Sequence, residues 1–299
     1  MAPCEANTAT VAEVLNAMTT RAFGLVGAIC AAWLVVACDV KVGQNGVSVD
    51  VVHGKASDEW KRSYRLSPSG HLDIVNVSGL ISATRADGQE VEVIATREAR
   101  ASTDEAAKAL LDKAEIVERT SPDRVSIESR VERGAGRVTV QFTIRVPDGL
   151  NMSLKTQDGG VRLTGIHGTV AAESVNGAVI GRELSGAVTA STVNGPVRME
   201  LMAITGESRF TTVNGSVEVA LAADLGASIE ASVINGNVVV ADGVPFSATE
   251  HTQKRVVGRF NQGGPRIVAQ TTNGPVRLHS GSLEDDERRG RRGRGASSP

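Results

Sequence analysis

The chain has 299 residues, of which 3% are aromatic and 32 are glycine, a balance that points to many thin layers of Val, Ile, Ala and Thr and not to one bulky core. A formal net charge of -2 excludes a general nucleic-acid binder, because neutralising phosphates needs a basic surface. Cys4, Cys30 and Cys38 all lie near the N-terminus, so the folded part can hold neither a disulfide framework nor a thiolate metal site.

From Met18 the chain reads Met-Thr-Thr-Arg, followed by an apolar run from Ala22 to Ala37 that ends in Leu34-Val35-Val36-Ala37-Cys38. This is the pattern of a secretory signal peptide over residues 1–38. Met18 is the better start, since residues 1–17 put Glu5 and Glu13 ahead of the basic segment. The run falls short of the roughly 20 residues that a spanning helix requires, and a retained transmembrane anchor is the alternative. Val35-Val36-Ala37-Cys38 resembles the lipobox of bacterial lipoproteins, which implies cleavage before Cys38 and thioether lipidation of its sulfur. Acyl chains at about 0.8 kcal/mol per buried methylene would then hold the protein at a membrane. Asp39 resembles the signal that retains enterobacterial lipoproteins in the inner membrane. Residues 39–60 read as a linker.

Residues 61–150 read as entry strands plus one helix. Tyr64-Arg65-Leu66, then His71 to Gly79 with Ser78-Gly79 in a turn, then Glu90 to Ala95, alternate as strands do. Over 102–116 the spacing predicts a helix: Ser102 and Glu105 form a capping box, and Ala106, Ala107, Leu110, Leu111 and Ala114 share a face. It is expected to cap an open end or flank of the sheet. Strands follow at Arg124 to Ser129 and Arg137 to Val146, leading through Pro147-Asp148-Gly149 into a repeat.

Across residues 151–280 the turn pairs Asp158-Gly159, Asn176-Gly177, Asn194-Gly195, Asn214-Gly215, Asn235-Gly236 and Asn273-Gly274 are spaced by 18, 18, 20, 21 and 38 residues. The last interval is twice about 19, which predicts one degenerate unit between Pro245 and Gly263. Two residues past each Gly stands Val161, Val179, Val197, Val217, Val238 or Val276, and two before each Asn or Asp stands Thr156, Ser174, Thr192, Thr212, Val233 or Thr271. Alternation of this kind turns one face inward. Further glycines at Gly168, Gly186, Gly206, Gly226 and Gly264 divide each unit into two short strands. Asn tolerates positive φ and Gly is indifferent to its sign, so the pairs read as tight β-turns and not as calcium or sugar ligands. One such unit cannot offset the entropy of ordering its backbone, so neighbours must shelter one another. The expected fold is all-β, a β-solenoid-like stack of two-strand units of about 19 residues with one flanking helix; an antiparallel meander or roll, in which Thr212 faces Val217, is the alternative. Residues 281–299, an acidic cluster and then Arg288 to Arg294, read as a disordered basic tail.

The stretch from Lys61 to His279 resembles a bacterial family of candidate-adhesin β-strand-repeat domains of unknown function. The resemblance is carried by Leu72 to Gly79, the helix Asp104 to Asp112, Thr143 to Gly149 and the Ser/Thr-Val-Asn-Gly-x-Val units from Ser174 onward. It implies a β-solenoid-like fold in envelope proteins and transfers no catalytic or binding residue. His53, His71, His167, His251 and His279 lie in dissimilar contexts without metal-ligand spacing, and no nucleophile and base can be grouped. No enzyme activity, cofactor or metal is therefore expected. The outward positions Lys155, Glu173, Ser191, Thr211, Ser232 and Gln270 read as a mixed polar column. The functional expectation is a lipid-anchored envelope protein, on the inner or outer membrane, with a non-catalytic interaction domain for an envelope protein or polysaccharide. A stress-sensing or signalling lipoprotein that acts through a protein partner is the alternative.

Overall fold

The computed structural model describes residues 38–43, 46–51, 54–67, 69–131 and 136–283; the expected signal peptide, residues 1–37, and most of the expected basic tail, from residue 284, lie outside them. β1 (Cys38–Gly43) and β2 (Gly46–Val51) pair antiparallel as a sheet of their own. After β3 (Gly54–Tyr64) comes a first two-strand rung, β4 (His71–Ser78) and β5 (Ile81–Arg85). The chain then leaves the stack through β6 (Val91–Ala101), α1 (Asp104–Asp112), β7 (Glu115–Ser121), β8 (Arg124–Arg130) and β9 (Arg137–Val146). Rungs resume with β10 (Asn151–Asp158) and β11 (Val161–Thr164), β12 (Val170–Asn176) and β13 (Val179–Ser185), β14 (Val188–Asn194) and β15 (Val197–Ala203), β16 (Ser208–Asn214) and β17 (Val217–Leu221), and β18 (Ala227–Asn235) and β19 (Val238–Val240). A hairpin, β20 (Phe246–His251) and β21 (Arg255–Phe260), precedes the last rung, β22 (Arg266–Asn273) and β23 (Val276–Ser280).

Neighbouring rungs pair parallel and in register, Thr192 beside Thr212 and Val197 beside Val217, so the fold is the solenoid and not the meander. The strand before each Asn-Gly corner joins one sheet and the strand after it joins a second. Their inner faces supply the core. The valines two residues past each corner are all buried, as are Leu163, Met199, Val219 and Leu278 on the next inward position. Burying each such side chain contributes about 1.5–3 kcal/mol, which only a neighbouring rung makes available.

Rung order in space departs from order in the chain. β22 lies between β16 and β18, and β23 lies between β17 and β19. The final unit is thus next to last in the stack, and the expected degenerate unit at 245–263 is not a rung. Those residues instead form the β20–β21 hairpin, with β21 antiparallel to β18. Their alternation loses the solenoid period because they close the stack: Val256 and Phe260 turn inward over its open end and are fully buried. The hairpin also satisfies the backbone there, since Val233 and Val238 donate to the carbonyls of Lys254 and Gln253 at 2.9 and 2.8 Å.

Glu230 of β18 fastens this closure, accepting from Arg255 of β21 at 3.1 Å and from Arg266 of β22. The hydrogen bond from the Arg266 guanidinium, helped by the charges of Arg266, Arg255 and Arg209, holds its carboxyl below the usual carboxylate range. A carboxylate with a depressed folded pKa stabilises above its unfolded value, about 4.3, and loses that contribution as pH falls through the folded one. Glu230→Gln is therefore expected to flatten the acid side of the stability profile below about pH 5, read as the urea midpoint against pH. An unchanged slope would show that the clamp contributes nothing.

At the opposite end β8 and β9 still pair parallel to β4 and β5, and antiparallel strands follow outside them. β9, β6 and β3 continue the second sheet beyond β5, while β8 and β7 continue the first beyond β4. β3 overturns the linker reading for residues 54–60, because it pairs with β6 from Gly54 through Tyr64. The sequence hides it, since a sheet-edge strand with mostly exposed side chains carries no hydrophobic period. Its Lys55, Asp58, Glu59, Lys61 and Arg62 instead guard the edge against pairing with other chains. The helix is shorter than expected. Thr103, and not Ser102, is its cap, accepting from the Ala106 amide at 3.2 Å, and the chain turns to strand at Glu115. Ala107, Leu111 and Ala114 pack with Ala99, Ala101 and Val138 in a small second core on the flank.

Candidate interaction surface

At the Asn-Gly corners the rungs make three parallel columns. Inside, the Thr156, Thr192, Thr212 and Thr271 hydroxyls and that of Ser174 donate to the carbonyls of Gly79, Gly177, Gly195, Gly215 and Gly159 in the adjacent rung, at 2.7–3.2 Å. Each buried hydroxyl thereby finds an acceptor. In the first rung the place is taken by Asn76, which donates to the carbonyls of Gly79 and Val140 and accepts from Ser129. Its neighbours on that side are β8 and β9, which have no corner glycine.

At the corner itself the side-chain amides form a ladder. Asn176 donates to Asp158, Asn194 to Asn176, Asn214 to Asn194, Asn273 to Asn214 and Asn235 to Asn273, all at 2.7–2.9 Å. Every donor points the same way, toward a carboxylate that can only accept. This revises the part assigned to the pairs. The only non-glycine residues at positive φ among those described are Glu183 and Asn261, so the asparagines are not left-handed turn formers. They are ladder rungs, and the glycines beside them are required by close approach: a Cβ on Gly177, Gly195 or Gly215 would stand 2.0–2.3 Å from the carbonyl oxygen of the corner glycine in the neighbouring rung.

Immediately before the asparagines, on the outer side, stand Val175, Val193, Val213 and Ile234, exposed to 41, 40, 42 and 62%. The first three occupy adjacent rungs and make an apolar stripe alongside the ladder. The polar column of the sequence reading, two positions earlier, is present too, with Lys155 paired to Glu173 at 3.1 Å. The sequence reading, which took the outward surface for a mixed polar column, missed this stripe; its signal is the Val of the recurrent Val-Asn-Gly, which turn chemistry alone does not explain.

A second feature had no sequence signal. Arg85, Thr164, His167, Glu183, Glu200 and Met202 line a depression of about 580 Å³ where a bulge shifts the register of β13 against β15 between Gly181 and Leu184. Glu183 sits on that bulge with φ 53. Asp148 accepts from Arg85 at 2.8 Å and stands 3.2 Å from His167 Nδ1. The other histidines lie apart: His71 is beside Asp73, His279 is beside Glu218, and His251 is exposed on β20. His53 lies outside the described residues. Among those described, no three His, Cys, Asp or Glu side chains converge to hold a metal.

Solved structures that resemble the fold include the following three. A candidate cell adhesion protein from Clostridium sporogenes is 12% identical, covering 76% of this chain and 100% of its own, with a TM-score of 0.40. A candidate adhesin from Bacteroides fragilis is 10% identical over 75% of this chain and 97% of its own, at 0.29. A candidate lipid binding protein from Parabacteroides distasonis is 9% identical over the same shares, at 0.29. No curated protein matches the sequence. Residues 44–279 match the Toastrack DUF4097 family model, a span that takes in the rungs, the flanking helix and the closing hairpin, and the chain belongs to that family.

Proposed function

We propose that this protein is a cell-envelope lipoprotein, held at a membrane by acyl chains on Cys38, whose repeat domain is a non-catalytic, adhesin-like scaffold for an envelope protein or polysaccharide. The observation that carries the anchor is the small residue Ala37 directly before Cys38 at the end of an apolar run. The scaffold reading is supported by the valine stripe, an apolar contact surface on a rigid, regularly spaced support. The family has no established function, so the adhesin label names a class of role and no ligand.

Palmitate labelling and membrane fractionation of wild type against Cys38→Ala test the anchor. Label and membrane sedimentation are both expected in the wild type and both lost in the variant; equal membrane yield from the two would overturn it. Pull-down from solubilised envelopes with the same wild-type chain is expected to retain a partner that Val193→Lys releases, and identical recovery by the two would remove the stripe from the scaffold.

A further inference from the structure

Asparagine followed by glycine is chemically fragile. The glycine nitrogen attacks the side-chain Cγ, an N–Cγ bond forms, and ammonia leaves with the proton that nitrogen gives up. Water then opens the succinimide at either carbonyl, leaving aspartate or isoaspartate. The reaction needs only water, but the glycine N–H must be free and the side chain must be able to swing.

In four of the five repeat pairs neither condition holds. Gly177, Gly195, Gly215 and Gly274 donate to the carbonyls of Asn194, Asn214, Asn273 and Asn235 at 2.9–3.0 Å. Asn176, Asn194, Asn214 and Asn273 each donate one ladder bond and accept another. Reaction at these sites requires local opening of the stack.

The fifth pair stands at the last rung in space. Asn235 donates to Asn273 at 2.9 Å, but no further amide follows it in the ladder, and among the described residues no carbonyl accepts the Gly236 N–H. The closing hairpin reaches Val233 and Val238 and straddles the pair, leaving Ile234 through Asn237 exposed, whereas the other four glycines are half-buried. We propose that Asn235-Gly236 is a site of spontaneous deamidation, an intrinsic modification site at the open end of the ladder.

The ladder's polarity gives the product a consequence. A carboxylate at position 158 is tolerated because donors point at it. A carboxylate at position 235 would face the Asn273 oxygen, an acceptor, with no proton to offer, so the terminal bond is lost and the last rung loosens.

The test is incubation of the folded full-length chain in mildly alkaline buffer at physiological temperature, with the amide-to-acid mass gain assigned by fragment spectra. Asn235 is expected to convert at least about tenfold faster than Asn176, Asn194, Asn214 and Asn273, whose intact hydrogen bonds must first open. In urea the five should react at comparable rates, and Asn235→Gln should abolish the gain at that position in the folded chain. Asn45-Gly46, outside the repeat, is scored separately. Equal rates in the folded protein, or faster conversion at an interior rung, would overturn the proposal.

Discussion

Replacing Gly215 with alanine is expected to destabilise the domain by about 3 kcal/mol or more. The new Cβ would stand 2.0 Å from the Gly195 carbonyl oxygen, 2.6 Å from its carbon and 3.1 Å from the Pro196 nitrogen. All three are backbone atoms, so no side chain can swing aside and the rungs must part. Parting them stretches the bonds that cross this interface, from Gly195 to Asn214 and from Val197 to Ser216, at 3.0 and 2.9 Å. Equilibrium urea unfolding gives the cost. Gly243→Ala is the control: its φ of 77 is left-handed, yet nothing lies within 4 Å of the added carbon, so conformation alone should cost about 1–2 kcal/mol. If Gly215→Ala cost no more than the control, the corner glycines would be serving conformation and the close-approach account would fail.

The solenoid was legible because its signal is periodic and in register. Val161, Val179, Val197 and Val217 recur at matching offsets from their corners, and the structure lays them side by side. Thr192 and Thr212 were read correctly as an inward half-polar column for the same reason. What the asparagines do was not legible. Turn propensity is a property of one dipeptide, whereas a ladder of side-chain amides exists only once identical residues from different rungs stack about 5 Å apart. β3 was hidden by its position at the sheet edge, where hydrogen bonds to β6, and not burial, define the strand. The depression beside Glu183 depends on one extra residue in β13 that β15 makes up a step later, at Ser185 beside Ala203, so it leaves no mark on the spacing of the repeat. The lipid anchor proposed at Cys38 rests on the lipobox-like Val35-Val36-Ala37-Cys38, whose residues before Cys38 lie outside those described.

Rung order is the other feature that periodicity cannot supply. The corners at 214, 235 and 273 all carry Asn-Gly, so the unit ending at Asn235 could stack equally well on the unit ending at Asn214, and sequence alone gives no reason to place the Asn273 unit between them. The geometry makes the order decidable. Thr211 and Ser232 each pair with Gln270, on opposite sides of β22. Adjacent strands lie about 5 Å apart, within the roughly 4.4–6.8 Å between Cα atoms that a disulfide spans, while Thr211 and Ser232 are separated by two such steps, about 10 Å. In a background with Cys4, Cys30 and Cys38 changed to serine, Thr211→Cys with Gln270→Cys and Ser232→Cys with Gln270→Cys should each close an intramolecular disulfide under mild oxidation. Thr211→Cys with Ser232→Cys should remain reduced. Non-reducing electrophoresis with thiol counting reads all three, and closure of the third pair with failure of the first would mean that rungs stack in chain order. The inserted order also sets a folding sequence: β18 meets β21 locally, whereas β22 reaches β16 across 59 residues, against 38 for its contact with β18, so docking of β22 and β23 on β16 and β17 is the most non-local step of that end. Such closure pays its loop entropy before the contacts reward it, so this step should come last.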